Sequence, residues 1–332
     1  MSSGKVLRQL IKAGSSGDIV AFKQVTETVI REERLKQHHL LANDLEKILY
    51  ADFSRQGVVF NRITDKVPTD QERGLPLLIV KEPGRGLDEV VLSKENRDTL
   101  EDILEQHNRM DVLISYGLRP ADKVLFCGPP GCGKTLTAEV LATELGRPLA
   151  IVRMDSVVSS YLGETAANLR KVFDFIDSAP MVALFDEFDA LGKEREDSSE
   201  HGELKRVVNA VLQMLDAYQG KSLIIAATNH EQMLDSAIWR RFEEVLLFNP
   251  PTKEELLHLL QIKLRGVRRD FEVTDDQVIS LFARMTHAEV ERILRRSIKE
   301  MVLKGQEFLQ IRFINRAIQR EQAQTLRSAG RK

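Results

Sequence analysis

Residues 128–135 read Gly-Pro-Pro-Gly-Cys-Gly-Lys-Thr. They fill the pattern G-x-x-x-x-G-K-[ST] at every fixed position, after an apolar run, KVLFC, and before a helix-forming stretch that opens near Leu136. Gly128, Gly131 and Gly133 let successive backbone N–H groups turn inward around phosphate oxygens, and a helix N-terminus adds a favourable dipole for an anion. Lys134 is the residue to reach β and γ phosphates, and the Thr135 hydroxyl is a Mg²⁺ ligand. Pro129, Pro130, Cys132 and Leu136 complete the wall of this nucleotide site. Cys132 is either a reactive thiol or a small residue whose backbone alone matters. Metabolic kinases, GTPases and motor ATPases all use such a loop, so the reaction must be read from other residues.

The run MVALFDEFDAL ends in an acidic pair, Asp186 and Glu187. Adjacent strand residues face different ways, so Asp186 can hold Mg²⁺ while Glu187 faces the γ-phosphate and polarises water as a base. A further apolar run, SLIIAATN, ends at Asn229, whose amide can orient the attacking water. Arg240 and Arg241 stand together before the run EVLLF. Taken alone they read as surface charges, and the neighbouring Trp239 as a core or interface residue. In SSYLGETAANLR, Tyr161 and Leu162 lie at the lip of a loop beside Gly163. Two large apolar side chains there either pack inward or grip something outside the chain.

These residues need a sheet to hold them. KVLFCG, LAIVRM, MVALFDE, SLIIAATN and EVLLF are five short apolar runs separated by helical stretches, which predicts a doubly wound parallel sheet of α/β class. The pair Pro250-Pro251 ends this pattern, and a purely helical one follows to about Gln322. At the other end, Val6, Leu7, Leu10 and Ile11, then Ile19, Phe22, Val25, Val29 and Ile30, recur at helical spacing. The expected organisation is an N-terminal helical domain over 1–56, a linker over 57–86 containing one strand candidate (PLLIV), an α/β subdomain over 87–250, a helical lid over 251–322 and a flexible basic tail over 323–332. The N-terminal helices serve either docking of a client or partner, or oligomerisation.

The chain has 332 residues, of which 42% are hydrophobic and 30% charged, so a large core is available and disorder is not the default. The formal net charge of −2 gives no basic surplus, and nucleic acid is not the expected partner. With only Cys127 and Cys132, a disulfide framework is excluded, and reduced thiols point to the cytoplasm. No apolar run approaches the ~20 residues that span a bilayer. The first residues carry no apolar signal stretch.

With these residues in place, residues from about 87 to 300 resemble a module of the AAA family of ATPases, in the branch that includes protein-remodelling, proteasomal and microtubule-severing members. GLRPADKVLFCGPPGCGKT resembles the family's Walker A region, YLGETAANLRKVF its pore loop and following helix, and ALFDEFDAL its Walker B. HGELKRVVNAVLQMLD resembles the helix of the second region, AATN its first sensor, IWRRFEEVLLFNPP its arginine-finger segment and THAEVERILRRSI the start of its lid helix. The resemblance implies ATP and Mg²⁺, a ring of six with ATP between neighbours, and Arg240 and Arg241 reaching a neighbour's γ-phosphate. It adds Arg195 and Arg206 to the same interface. It also turns Tyr161, Leu162 and Gly163 towards a central pore, with EDSSEHGE shaping a second loop. His287 and Ala288 fall at the lid's nucleotide contacts, where the family has Gly-Ala; the His287 ring would sit near the ribose or point to solvent.

The expected function is therefore ATP-driven unfolding, translocation or remodelling of a protein client through the pore of a homo-oligomeric ring. A second reading is an ATP-gated switch that controls a partner enzyme, such as a protease or nuclease, without unfolding. A third is a DNA-acting ATPase of clamp-loader or initiator type, disfavoured by the near-neutral charge. The N-terminal segment falls short of a long coiled coil, and no lysine-rich linker of the microtubule-severing kind is present.

Overall fold

A computed structural model describes residues 25, 26, 28, 29, 67–70, 74–158, 162–191, 201–230, 232 and 236–329, without the side chains at 162, 163, 191, 201–207, 236 and 325–329. The chain divides into two compact units, Met1–Asp65 and Lys66–Lys332. Of the first, Val25, Thr26, Thr28 and Val29 are helical, as their spacing predicts. The rest of the 1–56 segment, and with it the docking or oligomerisation role, lies outside the described residues.

The second unit is built on six described strands: β1 (Leu78–Lys81), β2 (Lys123–Cys127), β3 (Leu149–Val152), β4 (Val182–Phe185), β5 (Leu223–Thr228) and β6 (Glu244–Leu247). Their order is β1-β3-β4-β5-β2-β6. Strands β2 to β6 are parallel. Every residue of β4 and β5 is buried, as a strand covered on both faces requires, and both read as unbroken apolar runs. The doubly wound parallel α/β sheet expected from sequence is present.

One element departs from that expectation. Within the 57–86 stretch read as a linker, β1 pairs antiparallel with β3, Leu78 opposite Val152. Leu77 and Leu78 are buried. The sheet therefore begins before residue 87. The strand is a four-residue edge element with alternating burial, flanked by Pro76 and Pro83, so its apolar signal is short and its context turn-rich.

Helices α1 (Lys94–Asn108), α2 (Met110–Ser115), α3 (Lys134–Glu144), α4 (Met154–Val157), α5 (Leu162–Ser178), α6 (His201–Ala217) and α7 (Ser236–Trp239) connect the strands. Phe126, Leu141, Leu184, Ile225 and Phe248 belong to the core between sheet and helices. A separate core lies within four further helices, α8 (Lys253–Lys263), α9 (Asp276–Ser280), α10 (His287–Leu303) and α11 (Ile311–Ala329), around Leu260, Phe282, Ile293 and Phe313. Two separate cores thus lie within one unit. The seam is the segment before α1: Leu87 and Leu92 pack on the sheet core, whereas Val91 belongs to the lid core.

Capping fixes where the lid helices start. Thr252 and Glu255 form a capping box at α8, and Thr286 and Glu289 form one at α10. Helix α11 runs on to Ala329, so the segment read as a flexible tail is helical up to that residue. No glycine or proline interrupts the sequence between Ile311 and Gly330. Upstream, Arg292 and Arg296 pair with Glu321, and Arg296 also bonds Gln324, tying α11 to α10.

Candidate active site

Strand order decides what meets what. Strand β2 lies beside β5, and β5 beside β4, all parallel, so the residues that follow their C-terminal ends converge on one edge. The loop 128–133 leaves β2, Asp186 and Glu187 leave β4, and Asn229 leaves β5. The chain goes from β2 out to β3 and returns through β4 and β5, making this edge the crevice where open α/β sheets bind ligands. A cleft of 390 Å³ opens there. Pro130, Gly131, Gly133, Lys134, Thr135 and Leu136 form one wall; Asp186, Glu187 and Asn229 form another; His287, Ala288 and Glu291 close it from the lid.

Two of the loop glycines answer to packing. Gly128 has φ of +142°, and a Cβ there would lie 1.9 Å from the Phe248 carbonyl oxygen, so the chain leaving β6 fixes this residue. Gly131 has φ of +80°, and a Cβ there would press on Ala288 and Thr286 of the lid at 3.0 and 3.1 Å. Helix α3 then begins directly at Lys134, aiming its N-terminal amides into the cleft.

The Lys134 side chain is buried, and its three donors are all used. Nζ donates to the carbonyls of Gly128 at 2.6 Å and Pro129 at 3.0 Å, and to Asn229 Oδ1 at 2.8 Å. Burial pulls this ammonium below its ordinary pKa, opposed by Cys132, Asp186, Cys127 and Asp189 nearby. Cys132 is also buried, which pushes its thiol pKa up. The thiol is thus held in its protonated, unreactive form, and the reading of Cys132 as a small loop residue is the one the geometry favours.

Thr135 Oγ1 donates to Asp186 Oδ2 at 2.9 Å, so the two expected Mg²⁺ contacts already touch. No cluster of three or more His, Cys, Asp or Glu suited to a metal occurs among the described residues. One hydroxyl and one carboxylate beside a phosphate loop fit Mg²⁺, which keeps waters and takes substrate phosphate oxygens as its other ligands.

The acidic pair diverges for a different reason from the one the sequence suggests. Strand β4 ends at Phe185, so strand pleating cannot separate Asp186 from Glu187. Instead Glu187 has φ of +53°, a left-handed conformation rare for a non-glycine residue. Asp186 Oδ1 accepts its amide hydrogen at 2.9 Å, and the Glu187 carbonyl accepts from the Ala190 amide at 2.8 Å. The reversed backbone presents the exposed Glu187 side chain to the cleft. Strain of this kind gathers at functional sites. Sequence reading missed Asp189, which is buried and accepts from the Thr228 hydroxyl at 3.2 Å and the Asn229 amide at 3.4 Å. It braces the turn after β5 against the turn after β4.

The lid is hydrogen-bonded to the phosphate loop: the Ala288 amide donates to the Gly131 carbonyl at 3.0 Å. His287 lines the cleft, and both of its ring nitrogens are buried, which rules out the solvent-facing alternative. Burial holds its pKa below the usual histidine value.

The two arginines are not equivalent. Arg241 grips Asp216 through Nε (3.1 and 3.3 Å) and Nη2 (3.1 Å), and its Nη1 donates to the Ala237 carbonyl at 2.8 Å. Arg240 is exposed and makes no ion pair among the described residues. Tyr161, Arg195 and residues 196–200 of EDSSEHGE lie outside the described residues. Leu162 and Gly163 are in the first turn of α5, so the helix starts at the triplet rather than behind it. Arg206 lies in α6. No described helix is long and apolar enough to cross a membrane.

A parallel sheet with a glycine-rich strand-to-helix loop, Lys and Thr at the helix start and an acid after a neighbouring strand define a P-loop nucleoside triphosphatase fold. The family model of AAA, the ATPase family associated with various cellular activities, matches residues 124–250. An uncharacterized AAA family ATPase, y4kL, of Sinorhizobium fredii is 40% identical over 321 residues, covering 97% of this chain and 96% of that protein. The chain therefore belongs to the AAA family of ATPases. Putative 26S proteasome regulatory subunit homologs of Methanocaldococcus jannaschii and Methanothermobacter thermautotrophicus are 39% and 30% identical. The first of these matches covers 44% of this chain and 40% of that protein, the second 66% and 63%.

Proposed function

We propose that this cleft binds ATP with Mg²⁺ and hydrolyses it to ADP and phosphate, and that the chain works as a homo-oligomeric ring, of six subunits by family resemblance, that remodels, unfolds or translocates a protein client. The observation that carries the hydrolytic part is the convergence of Lys134, Thr135, Asp186, Glu187 and Asn229 on one cleft. Lys134 gives up Asn229 Oδ1 and turns that donor to the β and γ phosphate oxygens. Thr135 and Asp186 would hold Mg²⁺, which would neutralise phosphate charge. Glu187 takes the proton of the attacking water, and Asn229, released from Lys134, orients that water. Arg240, exposed on the chain that carries it, stabilises charge on the γ-phosphate of the adjacent subunit's ATP.

Tyr161, Leu162 and Gly163 are the client-gripping residues in this reading, and the family membership supports it together with the similarity to proteasome regulatory subunit homologs. The N-terminal helices select the client or partner. The test is a Glu187→Gln variant with a Tyr161→Ala variant. The first should retain ATP binding and lose turnover. The second should keep turnover in the absence of client and lose work on an unfolded polypeptide. A Tyr161→Ala ring that processes polypeptide at the parental rate overturns the threading part and leaves the hydrolytic part standing.

A further inference from the structure

A second cavity, of 350 Å³, opens at the other edge of the sheet, where β2 and β5 begin. Asp122 directly precedes β2, Lys221 lies two residues before β5, and both line it. The phosphate loop and Asn229 leave the far ends of the same two strands.

The turn after α2 supplies an apolar wall. The Leu118 amide donates to the Leu113 carbonyl at 2.9 Å and the Gly117 amide to the Ile114 carbonyl at 3.0 Å, with Gly117 at φ +72°. This Schellman cap fixes the turn through its backbone. Met110, Ile114, Leu118 and Pro120 line the cavity. Val112 and Tyr116, on the same turn, are exposed, Tyr116 to 79%. Large apolar side chains gathered on a surface mark an interaction site. The chain entering each strand is braced behind this wall. His107 Nε2 bonds the Ala121 carbonyl at 2.8 Å, the Ala121 amide donates to Gln106 Oε1 at 2.9 Å, and Arg147 Nη1 donates to the Lys221 carbonyl at 3.0 Å. A cavity held in this way needs little ordering when it is filled.

Charge narrows the occupant. Arg119 and Lys221 line the cavity, both exposed, and neither has an ion-pair partner among the described residues. Arg119 donates to the neutral amide of Gln219 at 3.4 Å. The carboxylate on the wall, Asp122, is already met by Lys123 at 2.6 Å. Two unneutralised cations beside an apolar wall fit an apolar side chain that has a carboxylate next to it. The apolar surface runs on from the cavity to Val112 and Tyr116, farther than a small organic acid covers, which favours a polypeptide segment.

We propose that this cavity docks an acidic, apolar segment of a partner protein, one apolar side chain filling the space beside Ile114 and Leu118 while a neighbouring carboxylate pairs with Arg119 and Lys221. The site is independent of the ATP reading, and its test needs no nucleotide.

The test measures retention of two peptide pools on the immobilised full chain: random 12-residue peptides of Phe, Leu, Ser and Glu, and the same composition with Lys in place of Glu. The parent should retain the Glu pool at least about tenfold over the Lys pool. Arg119→Glu with Lys221→Glu should reverse that preference, and Ile114→Ser with Leu118→Ser should lose both pools. These side chains are exposed, and thermal melting checks that each variant folds. Equal retention of the two pools by the parent, or no retention, would overturn the proposal. So would retention unchanged in the Ile114→Ser, Leu118→Ser chain. Sedimentation showing that this chain loses self-association would assign the face to a second copy instead, and binding of anionic lipid vesicles in place of the Glu pool would assign it to a membrane.

Discussion

Lys134 Nζ and Asn229 Oδ1 are joined by a hydrogen bond of 2.8 Å that spans from the phosphate loop to the end of β5. The ammonium has no donor left for a phosphate until one of its three acceptors lets go. Asn229 is the acceptor free to turn, since the other two are backbone carbonyls of the loop. In the proposed reaction, nucleotide binding and release of Asn229 are one event. Lys134→Ala should abolish ATP binding. Asn229→Ala should bind ATP and lose about 10² or more in turnover, the scale of removing one oriented polar group from a transition state. Equilibrium binding and steady-state rates on the two variants check the split; equal loss of binding in both would contradict it.

Glu187 sits at φ +53°, a conformation a non-glycine residue rarely adopts, and lines the cleft. Asparagine tolerates the left-handed region better than glutamate. Glu187→Asn should therefore lose turnover by about 10² to 10⁴, the range of a missing general base. The variant should be no less stable than the parent, and more stable by up to about 1 kcal/mol. Urea unfolding alongside the ATPase assay measures both effects in the same preparation.

Gly128 and Gly133 separate fold from function within one loop. Alanine at 128 would meet the Phe248 carbonyl at 1.9 Å and should cost at least about 3 kcal/mol, or prevent folding. Nothing lies within 4 Å of a Cβ at 133, whose φ is +102°. Gly133→Ala should fold with a penalty of about 1–2 kcal/mol from backbone strain and weaken nucleotide binding. Thermal melting of both variants distinguishes the two.

The phosphate loop, Asp186 and Asn229 were legible in the sequence because each is a local pattern: a polar residue directly after an apolar strand run. What was not legible depended on distant partners. The four residues of β1 read as part of a linker because only the β3 edge makes them a strand. The divergence of Asp186 and Glu187 looked like strand pleating, but it comes from a reversed backbone held by Asp186 and Ala190. Arg240 and Arg241 are adjacent and identical in type, and nothing in their spacing reveals that Asp216, 25 residues back, occupies one and not the other. Helix propensity past Gln322 carried α11 further than a basic composition suggested.

Two histidines make stability fall towards acid pH. His107, whose Nε2 bonds the Ala121 carbonyl at 2.8 Å, and His287 are both held by burial below the ordinary histidine pKa. The unfolded chain takes up these protons near pH 6.5, and the folded chain only at lower pH. Below about pH 6.5 the unfolded state therefore binds more protons, and stability falls as pH falls towards the folded values. Above about pH 7 both states are neutral at these residues and the dependence vanishes. The slope should reach at most about 1.4 kcal/mol per pH unit for each histidine. His287→Phe should remove one of the two contributions, which denaturant titrations between about pH 5 and 7.5 would show.

The most direct measurement is the ATPase rate per subunit against protein concentration, with and without added Arg240→Ala subunits. Arg241 is occupied by Asp216 within its own chain, whereas Arg240 is exposed, which makes Arg240 the one to test for the proposed role at a neighbour's site. A rate per subunit that climbs with concentration and falls on doping is the expected result, with thermal stability of the Arg240→Ala chain unchanged. A rate indifferent to both concentration and doping would mean that each chain hydrolyses ATP alone, and the ring account would be contradicted.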